Sequence, residues 1–224
     1  MNQGEGRFSR DRIDMVKLVF TRFWFKMFGT MGFTLIFFVG YIYLLKNPSG
    51  PVHIIPLTWF DSLVDFSPAA LPVYLSLWFY VSLPPVLMLS RREIARYGAK
   101  VALPCLAGLA VFYVWPNAIA PASIDWALHP GVSFLKQVDT AGNACPSLHV
   151  ATAVFSAVWL FWRFRFWHFP GWLQGLNILW CLAIAWSTMA IKQHVALDVL
   201  AGTVLGLFTA WCSGLKRHAC RPGG

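Results

Sequence analysis

Two histidines, a serine and a carboxylate stand out in this chain because almost everything around them is apolar. Ser147 and His149 fall in a Pro-Ser-Leu-His run at 146–149, and His194 precedes Asp198 by four residues. On a helix that spacing stacks two side chains on one face. Ionisable groups inside a bilayer cost roughly 2.5–3.5 kcal/mol each on insertion scales, so those that persist there are functional by default. Each of the four has a plainer role when taken alone, as a helix cap, an interfacial side chain or a structural partner. Together they suit phosphate. A helix start offers N–H groups and the positive end of a dipole to an anion, and both short motifs read as helix starts. Pro146 fits a first turn, where its missing N–H costs nothing.

The elements that must position these residues read as membrane helices. The 224 residues are 58% hydrophobic and only 12% charged, with 12 Trp and 19 Phe. A soluble domain carries about twice that charged fraction. Six apolar runs approach the ~20 residues that span a bilayer. They cover 27–45, 70–89, 99–118, 148–164, 172–191 and 194–215. The expected fold is all-α, a polytopic six-helix transmembrane bundle over 27–215. A basic amphipathic segment precedes it at 1–26, and a basic tail follows at 216–224. The first run follows a long basic stretch and reads as a retained anchor rather than a cleaved leader. Pro84, Pro85 and Pro104 are expected to kink the second and third helices.

Charge placement orients the bundle. Only Lys46, Lys136 and Lys192 of the 18 Lys and Arg residues fall between apolar runs on one side; the other fifteen lie on the opposite side. The positive-inside rule then puts both termini in the cytoplasm and the two histidine motifs on the outer side. The net charge of +9 comes in short clusters between apolar runs, which is membrane topology and not a nucleic-acid face. The expected location is a bacterial plasma (inner) membrane, multi-pass, with the site facing the periplasm or exterior.

Two further segments are expected to lie along the membrane surface, 9–26 as an amphipathic helix and 53–66 as an interfacial lip. Gly202, Gly206, Ala210 and Gly214 form a small-residue stripe, fit either for close packing within the fold or for a homodimer. The five cysteines are odd in number and scattered without metal-ligand spacing, so no structural disulfide is expected. Cys145 abuts the Pro-Ser-Leu-His run and is read as a packed small residue rather than a reactive thiol.

These motifs resemble those of the type 2 phosphatidic acid phosphatase superfamily. Pro146-Ser147-Leu148-His149 is similar to its Pro-Ser-Gly-His signature. Ser187-Thr188, five residues, His194, three residues and Asp198 are similar to its Ser-Arg-x5-His-x3-Asp signature. The Pro-Ser-Leu-His-Val wording and Lys192-Gln193-His194 look closer to the branch that includes inositol phosphorylceramide synthases. The resemblance implies that His194 attacks phosphorus, that Asp198 holds its other ring nitrogen, and that His149 protonates the leaving oxygen. Ser147 and Ser187 would help hold the phosphate, and no metal or cofactor is implied. Two departures stand out. The basic first signature is absent, with Asn117 surviving in its region at 113–121. Thr188 also stands where arginine is usual, so Lys192 and Lys136 are expected to supply positive charge. The implied substrate is a phosphorylated lipid, taken from surrounding membrane lipids, with no nucleic-acid partner. The resemblance implies hydrolysis, through a phosphohistidine, of a phosphate monoester or pyrophosphate of a phospholipid, polyprenyl phosphate or lipid A. Phosphotransfer to an alcohol stays open, as does a non-catalytic lipid-binding or scaffold role.

Overall fold

The computed structural model describes residues 15–138 and 142–214. Among these described residues eight helices follow in order: α1 Met15–Phe20, α2 Phe23–Lys46, α3 Leu71–Val86, α4 Arg91–Val114, α5 Pro130–Val138, α6 Leu148–Phe166, α7 Gly171–Ala190 and α8 Ala196–Cys212. The chain is mostly helical, but it is not purely so. β1 (His53–Ile55) and β2 (Asn117–Ile119) pair in parallel, with His53 beside Asn117 and Ile55 beside Ile119. β1 lies in the segment expected to be an interfacial lip, and β2 begins within the run expected to be the third helix, which ends at Val114. Their apolar residues Ile55 and Ile119 pack with Ala144 and Val195.

α6 is the central element. It packs on α3, α4, α7 and α8, while α2 lies outside against α4 and α3. Four segments are long and apolar enough to cross a membrane: Phe23–Lys46, Pro68–Val86, Arg91–Val114 and Gly171–Ala190. α8 is apolar but shorter, and α6 is not among the four. The physical reason lies in its surroundings. A helix enclosed by protein can carry polar side chains, and α6 buries Ser156 and Arg163 completely. Ser156 meets the Tyr97 hydroxyl. Arg163 pairs with Glu93 of α4 and lies 4.7 Å above the Trp159 ring and 4.8 Å from that of Trp167. A pair this deep serves by holding α6 to α4, since removing either partner leaves a buried charge.

Helix boundaries correct two expectations. The stretch 91–100 was read as a basic connection, yet α4 begins at Arg91. Ser90 caps it by accepting the N–H of Glu93, and Glu93 reaches back to the N–H of Leu89. A serine followed three residues later by glutamate is a helix-start signature that outweighs the charge run. Pro84 and Pro85 fall in the last turn of α3, where the helix ends rather than bends. At the start, α1 breaks at Arg22, whose φ of 58° is left-handed, and α2 resumes at Phe23. The amphipathic reading of 9–26 is therefore two pieces in its described part. Its first residues, like the tail at 216–224, lie outside the described residues.

The small-residue stripe of α8 is used within the chain. A β-carbon on Gly202 would sit 2.4 Å from the Ser147 carbonyl oxygen, and one on Gly206 would sit 2.6 Å from that of Ala151. Glycine at both positions lets α8 touch the α6 backbone, so these two face α6 and not a second copy.

Candidate active site

Four local devices bring the motifs together. Ser147 caps α6, its hydroxyl oxygen accepting the Val150 N–H. Pro146 therefore precedes the cap instead of occupying the first turn, and its bond to Cys145 is cis. The Ser147 N–H donates to the Asp198 carbonyl at 3.0 Å, which ties the head of α6 to the first turn of α8. α7 ends at Ala190, and a turn through Lys192 follows. There the Thr188 carbonyl accepts the N–H groups of both Gln193 and His194. That turn needs a left-handed residue, which Lys192 supplies with φ 57°.

The reactive groups then converge. His194 Nε2 lies 3.5 Å from His149 Nδ1. His194 Nδ1 lies 3.4 Å from Asp198 Oδ2, an ion-pair distance just beyond a good hydrogen bond. His194 is 7% exposed, and Asp198 and Ser147 are fully buried. His149 meets a fourth group, because the Tyr74 hydroxyl stands 2.6 Å from its Nε2. Tyr74 belongs to α3, far from either motif in sequence, and sequence reasoning missed it. Asp61 was also missed as a site neighbour. One of its carboxylate oxygens accepts the Ala196 N–H at 2.7 Å and the other accepts from Thr58. No spacing rule links residues 61 and 74 to the motifs, so neither was detectable.

The remaining sequence candidates are placed differently. Asn117 is 1% exposed and its amide is fully engaged with backbone. It accepts the N–H groups of Ala144 and Cys145 and donates to the carbonyls of Trp115 and Cys145. That holds the segment leading into Ser147, so Asn117 positions the loop rather than facing phosphate. Ser187 is buried within α7 and donates to the Ile184 carbonyl. Lys192 donates its ammonium to the Val64 carbonyl, and Lys136 donates to the Lys192 carbonyl while lying 4.7 Å from the Trp126 ring centroid. Both ammonium groups are hydrogen-bonded to backbone carbonyls.

The anion-binding role expected of two helix starts is also unequal. The N–H of Val195 goes to Asp198 Oδ2 and that of Ala196 to Asp61. Two carboxylates thus occupy the head of α8, and an incoming anion is better met at the head of α6 beside Ser147. Among the described residues no group of three or more His, Cys, Asp and Glu side chains is placed to hold a metal. The four described cysteines are free. Burial, followed by the neighbouring Asp198 carboxylate, pushes the Cys145 thiol up to about 11, which agrees with a packed and unreactive residue.

A cavity of about 290 Å³ opens from the site. His149, Thr152 and His194 line one part. The rest is apolar surface of α2, α3 and α4, including Phe33, Phe37, Trp78 and Val81, and it extends to Phe25 and Ile94.

Paired histidines backed by a carboxylate thus sit in a helical protein with four helices long and apolar enough to cross a membrane. The chain belongs to the PAP2 superfamily, whose family model matches residues 97–219. Members of that superfamily are phosphatases or phosphotransferases, which makes this chain an enzyme of phosphate esters at that level of description. No curated protein and no solved structure matches it.

Proposed function

We propose that this protein is a membrane lipid phosphatase that works through a phosphohistidine. The observation that carries the reading is the cavity. It joins the two histidines to an apolar surface between α2, α3 and α4, as a substrate with a phosphate head and a hydrocarbon tail requires. A water-soluble phosphate ester would leave that surface unused.

In this reading His194 Nε2 attacks phosphorus. Asp198 Oδ2 faces the opposite ring nitrogen and stabilises the imidazolium that develops, as in triad logic. The two histidines stand only 3.5 Å apart, so the phosphoryl group must part them, with His149 moving to the leaving oxygen. His149 then serves as acid, and as base toward water in the second step. The Ser147 hydroxyl hydrogen, not required by its cap bond, is available to a non-bridging oxygen. Lys192 and Lys136 contribute through the field of their charges. No residue in this scheme calls for a metal.

All six long helices cross the bilayer in this reading. α6 crosses inside a sleeve of the others, and α8 crosses alongside it. The termini lie in the cytoplasm, and catalysis occurs at the outer face, toward the periplasm of a bacterial inner membrane. The Pro-Ser-Leu-His-Val wording favours a second outcome, transfer of the phosphoryl or phospho-head group to an alcohol as in the inositol phosphorylceramide synthase-like branch. Purified protein offered phospholipids, polyprenyl phosphates and lipid A, each with and without an alcohol acceptor, separates the two. Released phosphate supports hydrolysis, and a new lipid product supports transfer. Neither, across the panel, would leave the scaffold reading.

A further inference from the structure

We infer that Tyr74 is a positioning residue for the acid–base step, and that it decides which nitrogen of His149 faces the phosphoryl group. The inference rests on the phosphohistidine reading and adds a group that neither motif contains. Tyr74 is 2% exposed. Its hydroxyl is 2.6 Å from His149 Nε2, and the two rings stand 4.8 Å apart at 36°. The opposite nitrogen, Nδ1, is the one directed at His194.

The phenol is well held. Its ring packs among Ala70, Ala190 and Ile191, and the Ser67 N–H donates to the Ala190 carbonyl, which joins the entry of α3 to the end of α7. Ile191 is three residues before His194. The element carrying Tyr74 is therefore tied to the turn that carries the nucleophile, so the phenol keeps its place when the phosphoryl group parts the two histidines.

A phenol hydroxyl both donates and accepts, so it can bond either protonation state of an imidazole. When His149 is an imidazolium, its Nε2–H donates to the Tyr74 oxygen and its Nδ1–H is left for the reaction. The lone pair of His194 Nε2 forms the N–P bond. The bond from phosphorus to the leaving oxygen breaks, and its electron pair stays on that oxygen, which takes the proton from His149 Nδ1. His149 is then neutral, with its remaining proton on Nε2 held by Tyr74. The free Nδ1 lone pair takes a proton from water as the water oxygen bonds to phosphorus. The N–P bond breaks, its pair returns to His194, and His149 is again an imidazolium. Tyr74 thus plays toward the acid the part a triad carboxylate plays toward the base, fixing ring and tautomer without changing its own charge.

The test uses Tyr74→Phe in the full-length protein, reconstituted in vesicles. Two lipid phosphates are compared, one with an alkoxide leaving group and one with a nitrophenolate. General acid assistance matters for the first and hardly for the second, and such assistance contributes about 10²–10⁴-fold. The expected result is a loss of about a hundredfold in kcat on the alkyl ester with KM unchanged. The first-turnover burst of nitrophenolate should keep nearly its wild-type rate. Equal losses on both substrates, or no loss on the alkyl ester, would overturn the inference. A cycle with His149→Ala supplies a second measurement, since Tyr74→Phe should cost nothing further in that background. An additive loss there counts against Tyr74 as well. Wild-type protein that releases neither leaving group would instead sink the proposed function, and the two failures are thereby distinguished.

Discussion

The N–H of Ser147 donates to the carbonyl oxygen of Asp198 at 3.0 Å, so the serine of one motif is bolted by its backbone to the aspartate of the other. The bolt is short because Gly202, one turn further along α8, lets the two helices touch. A β-carbon there would lie 2.4 Å from the Ser147 oxygen, and backbone cannot yield as a flexible side chain can.

Gly202→Ala should therefore lose both activity and stability. Overpacking of this kind costs about 1–3 kcal/mol. Any shift that relieves it also moves Ser147 away from Asp198. Gly175→Ala is the control, with open space at the β-carbon, and should be neutral or slightly stabilising. Thermal unfolding in detergent together with turnover checks both. Equal behaviour of the two variants would refute the close-contact account.

His194→Ala should abolish turnover while leaving the fold intact, because His194 is the cavity histidine whose ring faces the Asp198 carboxylate. Wild-type enzyme quenched during turnover of a radiolabelled lipid should carry a base-stable, acid-labile phosphoryl label. The His194 variant should carry none. A label that persists in the variant would place the covalent bond elsewhere.

Lys192→Ala should lower kcat/KM by less than the hundredfold to thousandfold that follows removal of a directly bonded oxyanion donor. The reason is the bond from its ammonium to the Val64 carbonyl, which keeps the charge at a distance from phosphorus. Steady-state kinetics at low and high salt decide the matter. A loss of a thousandfold would mean that the lysine swings onto the phosphate during catalysis.

Cys145 should alkylate slowly near neutral pH and faster as the pH approaches about 11, where burial and then Asp198 place its ionisation. The sign follows from the thiolate being the reactive form, whose fraction rises only toward that raised value. Alkylation should inactivate by placing bulk against Asp198, and Cys145→Ser should protect. Rapid modification at neutral pH with activity retained would contradict the packing seen here.

Orientation is open to a single-cysteine experiment. Cys212 ends α8 and is exposed. In intact cells a membrane-impermeant thiol reagent should miss it, and should reach it after permeabilisation. Labelling from outside would invert the topology, and with it the side of catalysis.

Much of the architecture was legible in the sequence because the bilayer imposes a simple length rule. The runs at 148–164 and 172–191 match α6 and α7 to within about two residues, within the usual uncertainty of helix ends. That His149, His194 and Asp198 stand out was also legible, since ionisable groups are conspicuous in an apolar chain, and the structure brings the three together. Sequence failed at 91–100, where a count of basic residues concealed the Ser90 cap and the start of α4. For Asn117, Lys192 and Ser187 it did not show the hydrogen bonds to backbone that the structure gives them. Residue type shows that a side chain can bind phosphate, but not that nearby carbonyls and N–H groups have already claimed it. Tyr74 and Asp61 could be found only in three dimensions. They reach the site across α3 and the lip at 53–66, over separations at which a linear pattern carries no signal. The sequence determined which groups are chemically capable and roughly where along the helices they lie. Tertiary packing decided which of them meet, because a hydrogen bond depends on tenths of an ångström that only the close contact of α6, α8 and α3 sets.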